Sequence, residues 1–380
     1  MRAFRTTVMF PALLLGALLL GLPAGAPAQD IVASEKARFR VVRVASGLEH
    51  PWSLAFLPDG RMLVTERPGR LRVVAGGVLQ AIPLAGLPPV AARGQGGLLD
   101  IALHPRFAEN RILYLSYAAE VAGGTVTRVA RGRLGDGRVE DLQPIFDSNA
   151  PNTTSMHFAG RMAFGADNRL YITTGDRRDD MRSQRPGDLN GKLIRLEDDG
   201  RVPADNPFVG REGYRPEIFA LGLRNSQALA LDPAGTLWAA DHGAQGGDEL
   251  NRLVGGRNYG WPVVTHSRNY GSGTPIGEAT TRAGIEEGIT LWTPSIAPSG
   301  MAWYRGDAFP AWRGSVFVGA LAGRALHRLE IADGKIVREE KLLANLGHRI
   351  RDVRVDAAGR VHLLTDAQDG ALLRLDPPGN

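Results

Sequence analysis

One pattern constrains this chain more than any other: an alternating apolar strand, a turn rich in Asp, Gly or Asn, and a second alternating strand. It occurs as "WSLAFLPDGRMLVTER" (52–67), "LLDIALHPRFAENRILYLSYA" (98–118) and "RMAFGADNRLYITTGD" (161–176). It returns as "ALALDPAGTLWAAD" (228–241), "GMAWYRGDAFPAWRGSVFVGAL" (300–321) and "VRVDAAGRVHLLTD" (353–366). The six copies begin at intervals of roughly 45–75 residues. Period-2 alternation marks strands, and the turn residues mark hairpins. A repeat of this size with about four strands is one blade of a β-propeller, and six blades close a ring without exposed sheet edges. The expected fold is therefore all-β, a six-bladed β-propeller of four-stranded antiparallel sheets occupying 29–380. A β-sandwich with long insertions would need about half as many strands. The 48 glycines and 24 prolines suit many short strands and tight turns. Segment 29–51, "QDIVASEKARFRVVRVASGLEHP", is expected to add an outer strand to the last blade and close the ring.

Residues 1–28 read as a secretory signal peptide. Arg2 and Arg5 form a basic start, Val8 to Leu20 an apolar run broken by Pro11, and "APA" (26–28) a small-residue cleavage site. The run is too short and wrongly flanked for a membrane span, so the expectation is cleavage after Ala28 and a periplasmic, non-membrane-embedded protein. The chain has no Cys, which excludes disulfides and a lipidated cysteine and leaves stability to the core, supplemented by any bound metal. Removing Arg2 and Arg5 from the 45 basic residues leaves 43 against 40 acidic ones. Without a Lys/Arg-rich run interleaved with aromatics, nucleic acid is not an expected partner. The excess is mostly arginine, which suits fixed recognition of carboxylate or phosphate. Arginine-preferring codon usage explains the total equally well, so only the positions discriminate.

Between the repeats lie three polar stretches, 119–160, 177–220 and 242–299, read as long loops gathered over one face around the central channel. Common catalytic signatures are missing: no G-x-S-x-G elbow, P-loop, H-E-x-x-H or EF-hand spacing occurs, and the glycine-rich "RGQGGLLD" (93–100) runs into a strand. What remains are polar residues flanking the core strands. His157 precedes "FAGR" at a strand entrance, where Gly160 permits close approach and Arg161 offers a local cation or clamp. Its near-neutral pKa suits a general base, although a lone histidine is more often packing, as His104 and His362 read here. Arg224, Asn225 and Gln227 sit before a buried strand, where capping of neighbouring backbone is an equal alternative. Arg349 and Arg351, two apart, share one face of an extended segment and imply an anionic partner, or else a solvated strand edge. Gln95 lies in the glycine-rich turn. In "DHGAQGGDELNRLVGGRNYGWP" (241–262), glycines let carbonyls turn inward, and Asp248 and Glu249 add hard oxygens of the kind calcium takes.

"HFAGRMAFGADNRLYITTGD", "ALGLRNSQALALDP", "DHGAQGGDELN", "NYGWP" and "HRIRDVRVD" occur in the order seen in soluble periplasmic quinoprotein sugar dehydrogenases. From about Gly47 to Asp376 the chain resembles the aldose sugar dehydrogenase branch of the soluble glucose dehydrogenase family. The resemblance implies a six-bladed propeller holding pyrroloquinoline quinone (PQQ) and calcium over its channel. It gives His157 the proton of the sugar's anomeric hydroxyl, with hydride passing from the anomeric carbon to quinone C5. It assigns Gln95, Arg224, Asn225, Tyr270, Arg349, Arg351 and the segment Ala320, Leu321 and Ala322 to the cofactor. Calcium bound with the cofactor would rest on the backbone carbonyls of Gly243 and Ala244, and a structural calcium on Glu249 and the Tyr259 region. Two positions depart from the glucose dehydrogenase relatives. Met156 stands where they place an aspartate that could tune the base, and Ala322 stands where they carry a lysine, with Arg324 two residues on.

The implied reaction oxidises an aldose to a lactone and passes electrons to a separate acceptor. The competing readings are a calcium-dependent lactonase or esterase on the same fold, which has little use for clustered arginines, and a binding module without chemistry. Loops 119–155 and 263–299 contain no pattern that names the sugar.

Overall fold

The computed structural model describes Ala3 and residues 31–379; apart from Ala3, the signal segment 1–28 lies outside the described residues. Six antiparallel sheets stand in a ring, five of four strands and one of five. The innermost strands are Pro51–Phe56, Leu98–Leu103, Ala159–Phe164, Ser226–Leu231, Pro298–Trp303 and Ile350–Val355. Each contacts the next, and the last returns to the first. Each is followed by a second strand: Met62–Glu66, Ile112–Val121, Leu170–Thr174, Leu237–Asp241, Ser315–Ala320 or Val361–Thr365. These pairs are the six repeats read from the sequence.

The core is divided among the gaps between blades. Leu71, Leu98 and Leu115 join blades one and two, and Tyr114, Ile172 and Ile194 join two and three. Leu193 and Leu229 join three and four, and Ala240, Val318 and Leu329 join four and five. Trp312, Phe317 and Val353 join five and six, and Leu48, Val64 and Leu364 close six on one. A fully buried leucine contributes about 1.5–3 kcal/mol, so stability is spread around the ring. Because both faces of each blade are covered, second strands such as Leu170–Thr174 are buried at every residue.

The ring closes through the N-terminal segment. Arg38–Leu48 pairs with Gly370–Asp376, from Arg40 opposite Asp376 to Leu48 opposite Gly370, and Ile31–Ala33 adds a further strand outside it. The segment thus supplies two strands where one was expected.

The polar stretches need correction. Most of 119–147 is sheet, as Gly124–Leu134 and Val139–Asp147, and the other two stretches contain Lys192–Leu196, Ile218–Leu221, Asp248–Arg252 and Leu291–Trp292. They are the third and fourth strands; Val139–Asp147 is polar because most of its residues face water at the propeller's rim, whereas Lys192–Leu196 is buried throughout with Lys192 and Arg195 hydrogen-bonded inside.

Arg161 also differs from expectation. It is no cation beside the histidine but a plug in the channel, 2% exposed. Its Nη1 lies 3.0 Å from Asp352 and 3.3 Å from Asp100, its Nε donates to Gln227 O at 2.8 Å and its Nη2 to Arg351 O at 3.0 Å. The guanidinium lies 4.0 Å from the Trp52 ring centroid, under the floor of the cavity described next.

Candidate active site at the channel mouth

A cavity of about 270 Å³ opens above this plug, near the lower end of small-molecule sites. The starts of inner strands supply Trp52, Asn225, Gln227 and Arg351, and the residues directly after second strands supply Arg67, His242, Leu321 and Asp366. Gln95, Gly243, Tyr270 and Arg349 line the cavity as well, beside Ser295 and Ala297, with Tyr270 61% exposed at the rim.

His157 is buried beside this cavity rather than on its lining. Two hydrogen bonds tie its segment to the wall: its N–H donates to Gln95 Oε1 at 2.8 Å, and Ala159 N–H donates to Asn225 Oδ1 at 3.1 Å. His157 and Ala159 both hold positive φ, 53° and 52°, a strained backbone of the kind found at functional sites. The approach requires Gly175, where a Cβ would stand 1.9 Å from His157 O.

The imidazole Nδ1 lies 2.7 Å from Asp176 Oδ1. Trp261 Nε1–H and Arg178 N–H donate to the same carboxylate, each at 2.9 Å. Burial pushes His157 below its ordinary pKa, with Asp176 partly opposing. Burial alone would raise Asp176, but the His157 hydrogen bond and the Arg224 charge hold its carboxyl below the usual range. The pair is a neutral imidazole, Nδ1–H on a carboxylate, with Nε2 free to accept a proton. Asp176 occupies the role left vacant by Met156, and the sequence reading missed it. Its signal was the hairpin register: two residues outward from the Ala159–Thr174 pair, one strand reaches His157 and the other Asp176.

Arg349 and Arg351 share Asp366, whose Oδ2 lies 3.0 and 3.1 Å from them. Those guanidinium charges hold the Asp366 carboxyl below the usual range against its burial. An anion for the arginine pair is therefore already built into the protein, a residue the sequence reading also missed. Arg351 Nη1 donates to Gln227 Oε1 at 2.9 Å.

Arg224 lies on an adjoining, much smaller cavity of about 10 Å³, together with Gly243, Glu249, Tyr259 and Trp261. Its Nη1 donates to Gly243 O at 2.7 Å, its guanidinium stands 4.9 Å from the Trp261 centroid, and its Nε has no partner. The backbone N–H groups of Arg224 and Asn225 donate to Asp241 at 2.8 and 2.7 Å. Glu249 is pushed up to about 8 by burial, with the Asp241 and Asp248 charges adding to it. Asp248 is not free to take a cation. Its oxygens accept from Gly243 N, Ala297 N and Ser295 Oγ at 2.7–2.9 Å, so it fastens the loop instead. The Tyr259 hydroxyl is likewise engaged, donating to Arg252 O at 2.6 Å and accepting from Val254 N at 2.8 Å, which leaves only its backbone for a metal.

Besides His157, three residues assigned by resemblance line neither cavity. Ala244 is buried with its N–H donating to Ser267 Oγ at 3.2 Å, Ala320 is buried at a strand end, and Ala322 is exposed. Arg324 is exposed and off the cavity as well. Among the described residues, no group of three or more His, Asp or Glu could by itself hold a metal ion, so a cation here would depend on carbonyls. No helix of the described residues is long and apolar enough to cross a membrane.

Comparison with known proteins places the chain as a whole. The sequence profile of the family described as Glucose / Sorbosone dehydrogenase matches residues 48–374. Aldose sugar dehydrogenase YliI of Escherichia coli is 42% identical over 338 residues, covering 87% of this chain and 91% of that one. A crystal structure of a glucose dehydrogenase superposes with a TM-score of 0.86 at 45% identity, covering 90% of this chain and 99% of the other. The PQQ-bound aldose sugar dehydrogenase of Streptomyces coelicolor superposes with a TM-score of 0.75 at 29% identity, covering 90% and 98%.

Proposed function

The chain belongs to the glucose/sorbosone dehydrogenase family, and from that premise we propose that it is a PQQ-dependent, calcium-assisted dehydrogenase oxidising aldoses to lactones. The observation that carries the reading is the buried His157–Asp176 pair, 2.7 Å apart and hydrogen-bonded into a cavity wall that also holds Arg349 and Arg351.

The residues present fit the quinone. PQQ is a flat tricyclic trianion; the cavity wall offers Arg349, Arg351 and Arg67, with amides at Gln95 and Asn225. Arg224 Nε and Arg351 Nε are buried without partners, two donors in want of an acceptor. When bound, PQQ supplies the acceptor for the hydrogen and electron pair leaving the sugar's anomeric carbon. Gly243 O, with Glu249 beyond it, are the hard oxygens for calcium, which would counter developing negative charge.

His157 Nε2 takes the proton of the anomeric hydroxyl. Asp176 fixes the tautomer in which Nδ1 carries hydrogen, and its charge stabilises the imidazolium that forms. Burial keeps the imidazole neutral and ready at pH 7. Gln95 and Asn225 hold the strained backbone on either side of the base in place.

A periplasmic setting and a separate electron acceptor belong to the same proposal. The first is supported by the basic, apolar and small-residue order of residues 1–28.

The experiment is reconstitution. Chelator-treated protein receives PQQ and calcium singly and together, and reduction of an artificial dye is followed with a panel of aldoses. Dye reduction requiring PQQ and restored by calcium is the expected result. No PQQ-dependent reduction with any aldose would sink the proposal and turn attention to lactone hydrolysis.

A further inference from the structure

The cations around the main cavity differ in what already engages them. Arg349 and Arg351 share the Asp366 carboxylate, and Arg224 has its Nη1 on the carbonyls of His242 and Gly243. Arg67 lines the same cavity, yet among the described residues no carboxylate pairs with it and no hydrogen bond engages its guanidinium. The carboxylates nearest in sequence are taken: Arg70 lies 2.6 Å from Glu66 and 2.7 Å from Glu49.

Arg67 is nonetheless held in position. It directly follows the second strand of blade one, the register place that supplies His242, Leu321 and Asp366 to the cavity from blades four, five and six. Its N–H donates to His50 O at 3.1 Å, and its carbonyl accepts from Leu98 N at 2.9 Å. Its stem lies on Gly97, where a Cβ would come within 2.6 Å of Arg67 Cγ and 2.1 Å of its carbonyl oxygen. A half-buried arginine whose backbone and stem are fixed and whose guanidinium is unpaired on a cavity wall can offer its fork to a planar anion. Ala322, by contrast, is exposed and off the cavity and brings no charge.

We propose that Arg67 binds a carboxylate of the quinone cofactor and completes the anion recognition of the cavity. This rests on the PQQ reading above. Any carboxylate satisfies the chemistry, so an acidic sugar is the other possible source.

The test titrates apoprotein with PQQ, read by tryptophan fluorescence quenching and equilibrium dialysis, for wild type, Arg67→Ala, Arg67→Gln, Arg67→Lys and Arg324→Ala. Unfolding midpoints are measured alongside, and the glutamine variant keeps a stem over Gly97. Loss of a charged hydrogen bond predicts about 10- to 100-fold weaker PQQ binding for the alanine and glutamine variants. Lysine should recover part of it, and Arg324→Ala should bind like wild type. Unchanged PQQ affinity in Arg67→Ala and Arg67→Gln overturns the proposal. So does unchanged PQQ affinity with KM raised for a uronic acid and not for a neutral aldose, which would assign Arg67 to substrate. Wild type that binds no PQQ removes the cofactor reading itself, and this inference with it.

Discussion

Arg224 Nη1 donates to the carbonyl of Gly243 at 2.7 Å. A guanidinium therefore sits on the oxygen that the resemblance gives to calcium. Two cations on one carbonyl repel at close range in poorly hydrated surroundings, so on the proposed reading calcium would compete with the arginine for this oxygen. Without quinone, Arg224→Met should bind calcium about tenfold more tightly than wild type, an effect of about 1.4 kcal/mol. Isothermal titration measures it, and equal affinities would show that the ion binds elsewhere.

His157→Ala should lose about 100-fold or more in kcat, the scale of a general base, while PQQ affinity stays close to wild type. Near-normal turnover would remove His157 from the chemistry.

Proton acceptance needs neutral imidazole. Burial puts the His157 pKa below the ordinary 6.5, so kcat should climb with pH to a plateau, with its midpoint under 6.5. Asp176 opposes that shift, so Asp176→Asn should move the midpoint lower still and reduce the plateau about 100-fold, since the amide no longer stabilises the imidazolium. A pH profile that keeps its midpoint in the asparagine variant would argue against the pair.

Arg161→Met should destabilise the fold. It leaves Asp100 and Asp352 in the channel with only Arg354, which lies 3.1 and 2.9 Å from them, as a cation. Removing one partner of a buried pair costs about 3–5 kcal/mol. Urea unfolding would show this as a lower midpoint, and an unchanged midpoint would mean that Arg354 alone suffices.

The ring was legible because its signal is local. Strand, turn and strand recur with period-2 alternation, and each inner pair of the structure coincides with one such copy. The outer strands were hidden because half-exposed ones such as Val139–Asp147 have the composition of loops, and because buried polar residues in others, Lys192 and Arg195 among them, mask the alternation. In the site, His157 could be singled out by its flanks, whereas Asp176 and Asp366 look like ordinary strand-end aspartates. Their roles come from partners 19 and 15–17 residues away, across a hairpin. Arg161 shows the opposite failure: it adjoins the base in sequence but points down the channel, because a bulge lies between Ala159 and Met162.

The closing blade is made from both ends of the chain, Arg38–Leu48 beside Gly370–Asp376. That blade also carries Arg349, Arg351 and Asp366. Assembly in time follows: a partly synthesised chain can form the hairpin that seats His157, but it has no arginine clamp until its last sixth has emerged and the first strands have waited for it. The complete set of cavity arginines therefore exists only in the finished molecule.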